Sequence, residues 1–191
     1  ILVVDKPAGV TTIPDRVGSD SVHDQLERAL GVRLWVVHRL DREVTGVLAF
    51  ARDAASHRSM SMAFEAGTAQ KTYAARTGGE PPGAVGLRLK WENKLLRGKK
   101  RSYASPHGKP ALTEALFDGG HAGELQWTLH PRTGRNHQLR VHLASAGFPI
   151  HGDVLYGSQV PWPAGGIALR AVHLQIPADG DFPGVDVSAP R

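Results

Sequence analysis

Short strand-like apolar runs outnumber helical windows along this chain, and the helical windows are scattered between them. That ordering implies an α+β fold with a mixed or mainly antiparallel sheet. Residues 1–5 read as a strand closed by the turn Lys6-Pro7-Ala8-Gly9. A helix starts at Asp20 or Ser21, with Val22, Leu26, Ala29 and Leu30 on one face and Gly31 as its stop. Residues 32–37 and 47–51 read as strands. Asp53 caps a second helix with Met60, Ala63 and Phe64 toward the core and Gly67 at its end. A short strand follows over 71–75. The paired prolines and four glycines of residues 78–86 make a loop. Residues 111–117 and 125–129 alternate as antiparallel strands do. A third helix is predicted from about Asn136, with Leu139, Leu143 and Ala146 inward and Gly147 after it. Residues 167–176 form the last long strand. No internal repeat, low-complexity segment or domain boundary stands out, so one domain over residues 1–191 is expected.

Composition narrows the class. A chain of 191 residues suits one large domain or two small ones. A hydrophobic fraction of 41% against 21% charged residues fits a globular chain and argues against disorder. The absence of cysteine excludes disulfides, thiolate zinc sites, iron–sulfur clusters and a Cys nucleophile. It also fits a cytoplasmic location. No apolar run approaches the roughly 20 residues of a membrane helix, and no signal segment is seen at the start.

Charge is unevenly placed. Residues 88–101, RLKWENKLLRGKKR, hold seven basic groups (Arg88, Lys90, Lys94, Arg97, Lys99, Lys100 and Arg101) against Glu92. This stretch carries +6, so the remainder carries −1 of the total of +5. With Trp91 interleaved, the run is expected to be a loop or short strand that touches a phosphate backbone; an idle basic loop is the alternative. The tail has Asp179, Asp181 and Asp186 among prolines and reads as a surface-wrapped end.

Asp41 is the most informative carboxylate. It lies between two strand-like runs and beside Arg39 and Arg42. Neighbouring cations keep an Asp ionised, which suits a nucleophilic or electrostatic role. A turn Asp paired to a surface Arg is the plainer reading. Residues 130–142, HPRTGRNHQLRVH, crowd polar groups at a helix start. Arg135, Asn136 and His137 lie where free backbone N–H groups favour an anion. Arg140 either faces solvent or enters the fold to meet a buried acid that local sequence does not name. The ten histidines show no HExxH or other ligand spacing, so metal binding is not expected. No GxGxxG or phosphate loop is present, which disfavours a nucleotide cofactor. No GxSxG elbow marks a serine hydrolase. Tyr73, in Lys71-Thr72-Tyr73, reads by default as a half-buried strand Tyr.

Taken in order, four blocks resemble the RluA-type family of pseudouridine synthases. They are the opening strand with Lys6-Pro7-Ala8-Gly9-Val10, then His38-Arg39-Leu40-Asp41-Arg42-Glu43-Val44-Thr45-Gly46-Val47, then Lys71-Thr72-Tyr73, and last the run from His130 to Leu143. Gly147-Phe148-Pro149-Ile150-His151-Gly152-Asp153-Val154-Leu155-Tyr156-Gly157 follows the last, again close to the family's pattern. Any one block is weak; four in order across nearly the whole chain are specific.

The resemblance implies a catalytic domain with a long, mainly antiparallel sheet split by a central active-site cleft. It implies isomerisation of uridine in RNA to pseudouridine without cofactor or metal. The base is detached at nitrogen, turned, and rejoined to the ribose through carbon. Asp41 matches the family's essential Asp, Tyr73 the Tyr against the target base, and Arg140 the Arg that pairs with that Asp. Leu139 matches an apolar wall position. Arg39 and Arg42, with Lys71 and Arg135 as weaker candidates, would hold phosphates or fill the space a flipped base leaves. A stacked uridine cannot reach an Asp, so the nucleotide must be flipped out, and a stem–loop of ribosomal or transfer RNA is the expected partner. The enzyme is expected to be a cytoplasmic monomer without a separate N-terminal RNA-binding domain in this chain. Val44, Thr45, Asn136 and Arg170 depart from the family's usual residues around the catalytic groups and bear on substrate identity. A non-catalytic RNA-binding module on the same fold, or a nucleosidase or glycosidase using Asp41, are the alternatives. Only Asp41 has a suitable setting, where glycosidases usually need two carboxylates.

Overall fold

The computed structural model describes residues 1–15 and 18–190. The elements in chain order are β1 (Leu2–Lys6), α1 (Val22–Leu30), β2 (Trp35–Val36), β3 (Thr45–Ala51), α2 (Ala54–Ala66), β4 (Gln70–Thr77), β5 (Arg88–Arg97), β6 (Ser102–Ala104), β7 (Lys109–His121), β8 (Glu124–Pro131), α3 (Gln138–Ser145), a 3₁₀ turn at Val154–Tyr156, β9 (Leu169–Ile176) and β10 (Val185–Ser188). The expected α+β class is what forms. The chain divides into two compact units, residues 1–71 with 170–190 and residues 72–169.

The first unit is organised by β3. Every residue of this strand from Gly46 to Ala51 is buried, as a central strand covered on both faces must be. β1 pairs with it antiparallel and β9 pairs parallel at Thr45 and Gly46. β2 pairs antiparallel at Phe50 and Ala51. α2 packs Met60 and Ala63 with Val47, Ala49, Leu174 and Ile176. Its ends form as the sequence dictates. The Asp53 carboxylate accepts the Ser56 N–H at 2.7 Å, and Gly67 closes the helix in the left-handed conformation.

Three readings need correction in this unit. Of residues 32–37 only Trp35 and Val36 are strand. Leu34 instead donates its N–H to the Glu27 carboxylate at 2.7 Å, so a side chain satisfies what a ladder would have. α1 starts at its Ser21 cap and stops at Gly31 as expected, but Ala29 and Leu30 are exposed and only Val22 of its proposed face is buried. The tail is not a mere wrapping: β10 pairs antiparallel with β9, and Phe182 and Val185 are buried.

The second unit is built on antiparallel pairings in which β4 pairs β8, β8 pairs β7, β7 pairs β5 and β5 pairs β6. One face carries Trp127, with Phe117, Phe148 and Trp91 packed at ring-centroid distances of 5.3, 4.8 and 5.8 Å. The indole N–H donates to Thr77 Oγ1 at 2.9 Å, so this buried polar atom is satisfied. The run 88–101, read as loop or short strand, contains the ten-residue β5. Its charges at 88, 90, 92 and 94 alternate with Leu89, Trp91, Asn93 and Leu95, the period-2 pattern of a strand with one wet face. Trp91 therefore packs inward, against Trp127 and His142, and is not a base-stacking residue of the basic face. No helix among the described residues is long and apolar enough to cross a membrane.

Candidate active site

Asp41 sits in the connection between β2 and β3, half-buried, and that connection is pinned from several sides. Lys6, at the end of β1, is 1% exposed. Its ammonium donates to the carbonyls of Pro7 (2.7 Å), Val10 (2.8 Å) and Arg42 (3.3 Å). The Arg42 carbonyl also accepts the Gly9 N–H at 2.8 Å, and the Arg42 Nε–H donates to Gly9 O at 2.8 Å. On the other side of Asp41, the Leu40 N–H donates to the Thr12 hydroxyl at 3.1 Å, and that hydroxyl donates to Leu40 O at 3.0 Å. The Val44 N–H closes the turn onto Asp41 O at 3.1 Å. The backbone on both sides of Asp41 is thus fixed by the opening segment of the chain. Burial pushes the Lys6 amine down to about 8; the negative charges of Glu43 and Asp41 act the other way.

His38, the first residue of the same block, is a fold residue. Its Nε2 accepts the Ala49 N–H at 3.0 Å, so Nδ1 carries the proton, and its ring stacks on Phe64 at 5.0 Å. Burial drives its pKa down to about 3, helped by the positive charge of Lys71. Lys71 is itself held below the usual lysine range by burial. Arg39 and Arg42 are exposed.

In the second unit, Arg140 is the centre. It lies on α3, 3% exposed, and meets a buried acid. Its Nε donates to one oxygen of Asp153 at 2.7 Å and its Nη2 to the other at 2.8 Å. The Tyr156 ring lies 5.1 Å from the guanidinium carbon. Two-point pairing fixes the plane of the guanidinium and offsets the cost of removing both charges from water. Asp153 and Tyr156 both belong to the Gly152–Gly157 segment quoted for the family resemblance. Neither was singled out, because nothing local in sequence says which face of α3 that segment meets.

The entry to α3 also differs from the expectation. The helix begins at Gln138, not Asn136, because His137 adopts φ 54°. Gln138 ties the helix start to the preceding loop and to β7: its Oε1 accepts from the Thr133 hydroxyl (2.6 Å) and the Arg135 N–H (3.0 Å), and its Nε2 donates to Leu112 O and Thr113 Oγ1. The three residues read as an anion site make internal bonds. Arg135 Nε donates to Pro110 O at 2.9 Å, Asn136 Nδ2 to Ser102 Oγ at 3.1 Å, and His137 Nδ1 meets the Tyr156 hydroxyl at 2.9 Å. His142 Nδ1 meets Thr113 Oγ1 at 2.9 Å and its Nε2 meets Asn93 Oδ1 at 3.0 Å. Burial lowers its pKa to about 4. Leu139 and Tyr73 are buried, with Tyr73 on β4 opposite Leu129. No group of three or more His, Asp or Glu among the described residues is arranged to hold a metal ion.

Comparison with known proteins agrees with the four blocks. Residues 1–145 match the RNA pseudouridylate synthase family. An uncharacterised RNA pseudouridine synthase of Zymomonas mobilis is 37% identical over 92% of this chain and 83% of its own length. The dual-specificity RNA pseudouridine synthase RluA of Escherichia coli is 36% identical over 83% of this chain and 74% of its own. Among solved structures, human RNA pseudouridylate synthase domain containing 1 superposes with a TM-score of 0.79 at 25% identity. It covers 99% of this chain and 79% of the human one. Human RNA pseudouridylate synthase domain containing 4 shares the fold, with a TM-score of 0.75 over 99% of this chain and 85% of that one at 22% identity. The fold is that of an RNA pseudouridine synthase, an isomerase. The chain belongs to the RluA-type family of these enzymes.

Proposed function

We propose that this enzyme isomerises a flipped-out uridine through Asp41, with Tyr73 against the base and Arg140 orienting the Asp41 carboxylate. The glycosidic bond from ribose C1′ to N1 of the base breaks. The base turns, C1′ bonds to C5, the C5 proton leaves to solvent and N1 takes up a proton, so that the product is an isomer of the uridine. Asp41 supplies the negative charge that opens the first bond. The observation that carries the reading is the intact set Asp41, Tyr73 and Arg140 in family order, within a chain 36% identical to the Escherichia coli dual-specificity enzyme. Two features support it. The backbone flanking Asp41 is held by Lys6, Thr12 and Gly9, as a group that must meet a reacting atom requires. Arg140 is rigidly placed by Asp153.

The substrate is a ribosomal or transfer RNA, and a stem–loop fits the cost of extrusion, a few kcal/mol that is smallest for an unpaired base. Arg39, Arg42, Lys71 and Arg135 are the phosphate-side contacts and Leu139 the apolar wall. The enzyme works as a cytoplasmic monomer without cofactor or metal. Nucleoside analysis of ribosomal and transfer RNA incubated with the protein tests this. Pseudouridine rising as uridine falls is expected. Release of free uracil would indicate a nucleosidase, and binding without conversion would indicate an RNA-binding module.

A further inference from the structure

The basic run of residues 88–101 is divided by the strand it forms. Lys90 stands on the outer face of β5 among acids: Glu92 is 3.3 Å away, and Glu114, opposite it in register, binds Arg132 at 2.7 Å. On that face carboxylates lie next to the lysine. At the far end the pattern changes. Arg97, Lys99, Lys100 and Arg101 are all exposed around a turn closed by the Gly98 N–H on Arg101 O at 2.9 Å. No Asp or Glu occurs between Glu92 and Glu114. Apolar surface adjoins these cations. Tyr103 on β6 is 46% exposed, and in the neighbouring 3₁₀ turn Val154 is 80% exposed. Arg101 Nη1 reaches Leu155 O of that turn at 3.4 Å.

The tip is also firmly based. The Ser102 N–H donates to the Tyr156 hydroxyl and that hydroxyl donates to Ser102 O, both at 3.0 Å. The same Tyr156 ring covers the Arg140 guanidinium. A cluster of cations beside an exposed aromatic ring suits a polyanion whose bases can leave the stack. A ring held by an ordered hairpin loses little freedom on contact.

We propose that the hairpin tip, residues 97–103, is a docking surface for RNA outside the target nucleotide. Lys99, Lys100 and Arg101 take phosphates and Tyr103 carries an unpaired base. This rests on the pseudouridine synthase reading only for the identity of the polyanion.

The test is binding of a fluorescein-labelled, uridine-containing RNA stem–loop at several salt concentrations. The combined variant Lys99→Gln, Lys100→Gln, Arg101→Gln is expected to weaken binding and reduce the slope of log Kd against log salt by about 2–3. Arg88→Gln, Lys90→Gln, Lys94→Gln is expected to change that slope by less. Tyr103→Leu is expected to weaken binding about tenfold at an unchanged slope. Unchanged affinity and slope in the tip variant, or an equal effect of the strand-face variant, would overturn the proposal. Tritium release from carbon-5-labelled RNA is followed in parallel with wild-type protein. Its absence counts against the synthase reading, whereas a failure of the tip variant to lose affinity counts against the docking surface alone.

Discussion

Asp153 holds Arg140 at two points, Nε at 2.7 Å and Nη2 at 2.8 Å, with both side chains almost fully buried. Removing either member takes a two-point, charge-assisted pairing out of the interior of the fold. Asp153→Ala is expected to destabilise the protein by about 3–5 kcal/mol, and Arg140→Met by a comparable amount. The double variant Arg140→Met, Asp153→Leu should recover most of that loss while activity stays abolished. Urea denaturation of the three variants alongside turnover checks this. A double variant no more stable than the singles would contradict the pairing as the source of the loss, and recovered turnover would remove Arg140 from the reaction.

Lys6 contributes differently. Its ammonium bonds three carbonyls, one of them that of Arg42, the residue after Asp41. Lys6→Met removes those bonds together with a buried charge. Its stability is therefore expected to stay within about 1–2 kcal/mol of the parent, while turnover falls about 10–100-fold through displacement of the Asp41 backbone. Normal turnover in the folded variant would show that the Lys6 bonds do not position Asp41.

Two buried histidines are expected to weaken the fold as pH falls. His38 and His142 have folded pKa values of about 3 and 4, against an ordinary value of 6.5. Both are depressed, so the stability they carry is fully present above pH 6.5. It is lost as pH falls toward 4, because the unfolded chain takes up two protons that the folded chain refuses. Each contributes a slope of up to about 1.4 kcal/mol per pH unit. Urea midpoints between pH 7 and pH 4.5 should fall steeply, and His142→Gln should remove about half of the slope. A flat profile in that window would contradict the burial of these rings as neutral groups.

Gly46 tests the parallel junction of β3 with β9. At φ 112°, a Cβ added there would overlap the backbone carbonyl of Ala171. Gly46→Ala is expected to cost at least about 3 kcal/mol. Gly31→Ala, at φ 63° with open space around it, should cost only about 1–2 kcal/mol. Thermal unfolding of the two variants makes the comparison; equal losses would mean that conformational strain, not the approach of Ala171, selects glycine at 46.

Much of this was legible in the sequence because local rules carried it. Asp53 and Gly67 bound α2 by capping alone, and Ser21 and Gly31 do the same for α1. The family blocks nominate Asp41, Tyr73 and Arg140, and the structure adds that Tyr73 and Arg140 are buried. What was missed depends on tertiary partners. Asp153 is one residue of a motif run in sequence, and only its contact with α3 shows it to be the buried partner of Arg140. Lys6 looked like a turn residue until its head group was buried under three carbonyls. The strand character of residues 88–97 was hidden by charge, since only alternate positions face the core. Glu27 took the N–H of Leu34 that a longer β2 would have used, which no periodicity reports.

Asp41 is proposed to drive uridine isomerisation in RNA. The most direct measurement is tritium release to water from RNA labelled at uridine C5, comparing the parent with Asp41→Asn, which keeps shape and removes charge. Release by the parent, matched by pseudouridine formed, is expected, with none above background from a folded Asp41→Asn variant that still binds RNA. Comparable release from that variant would contradict that role of Asp41.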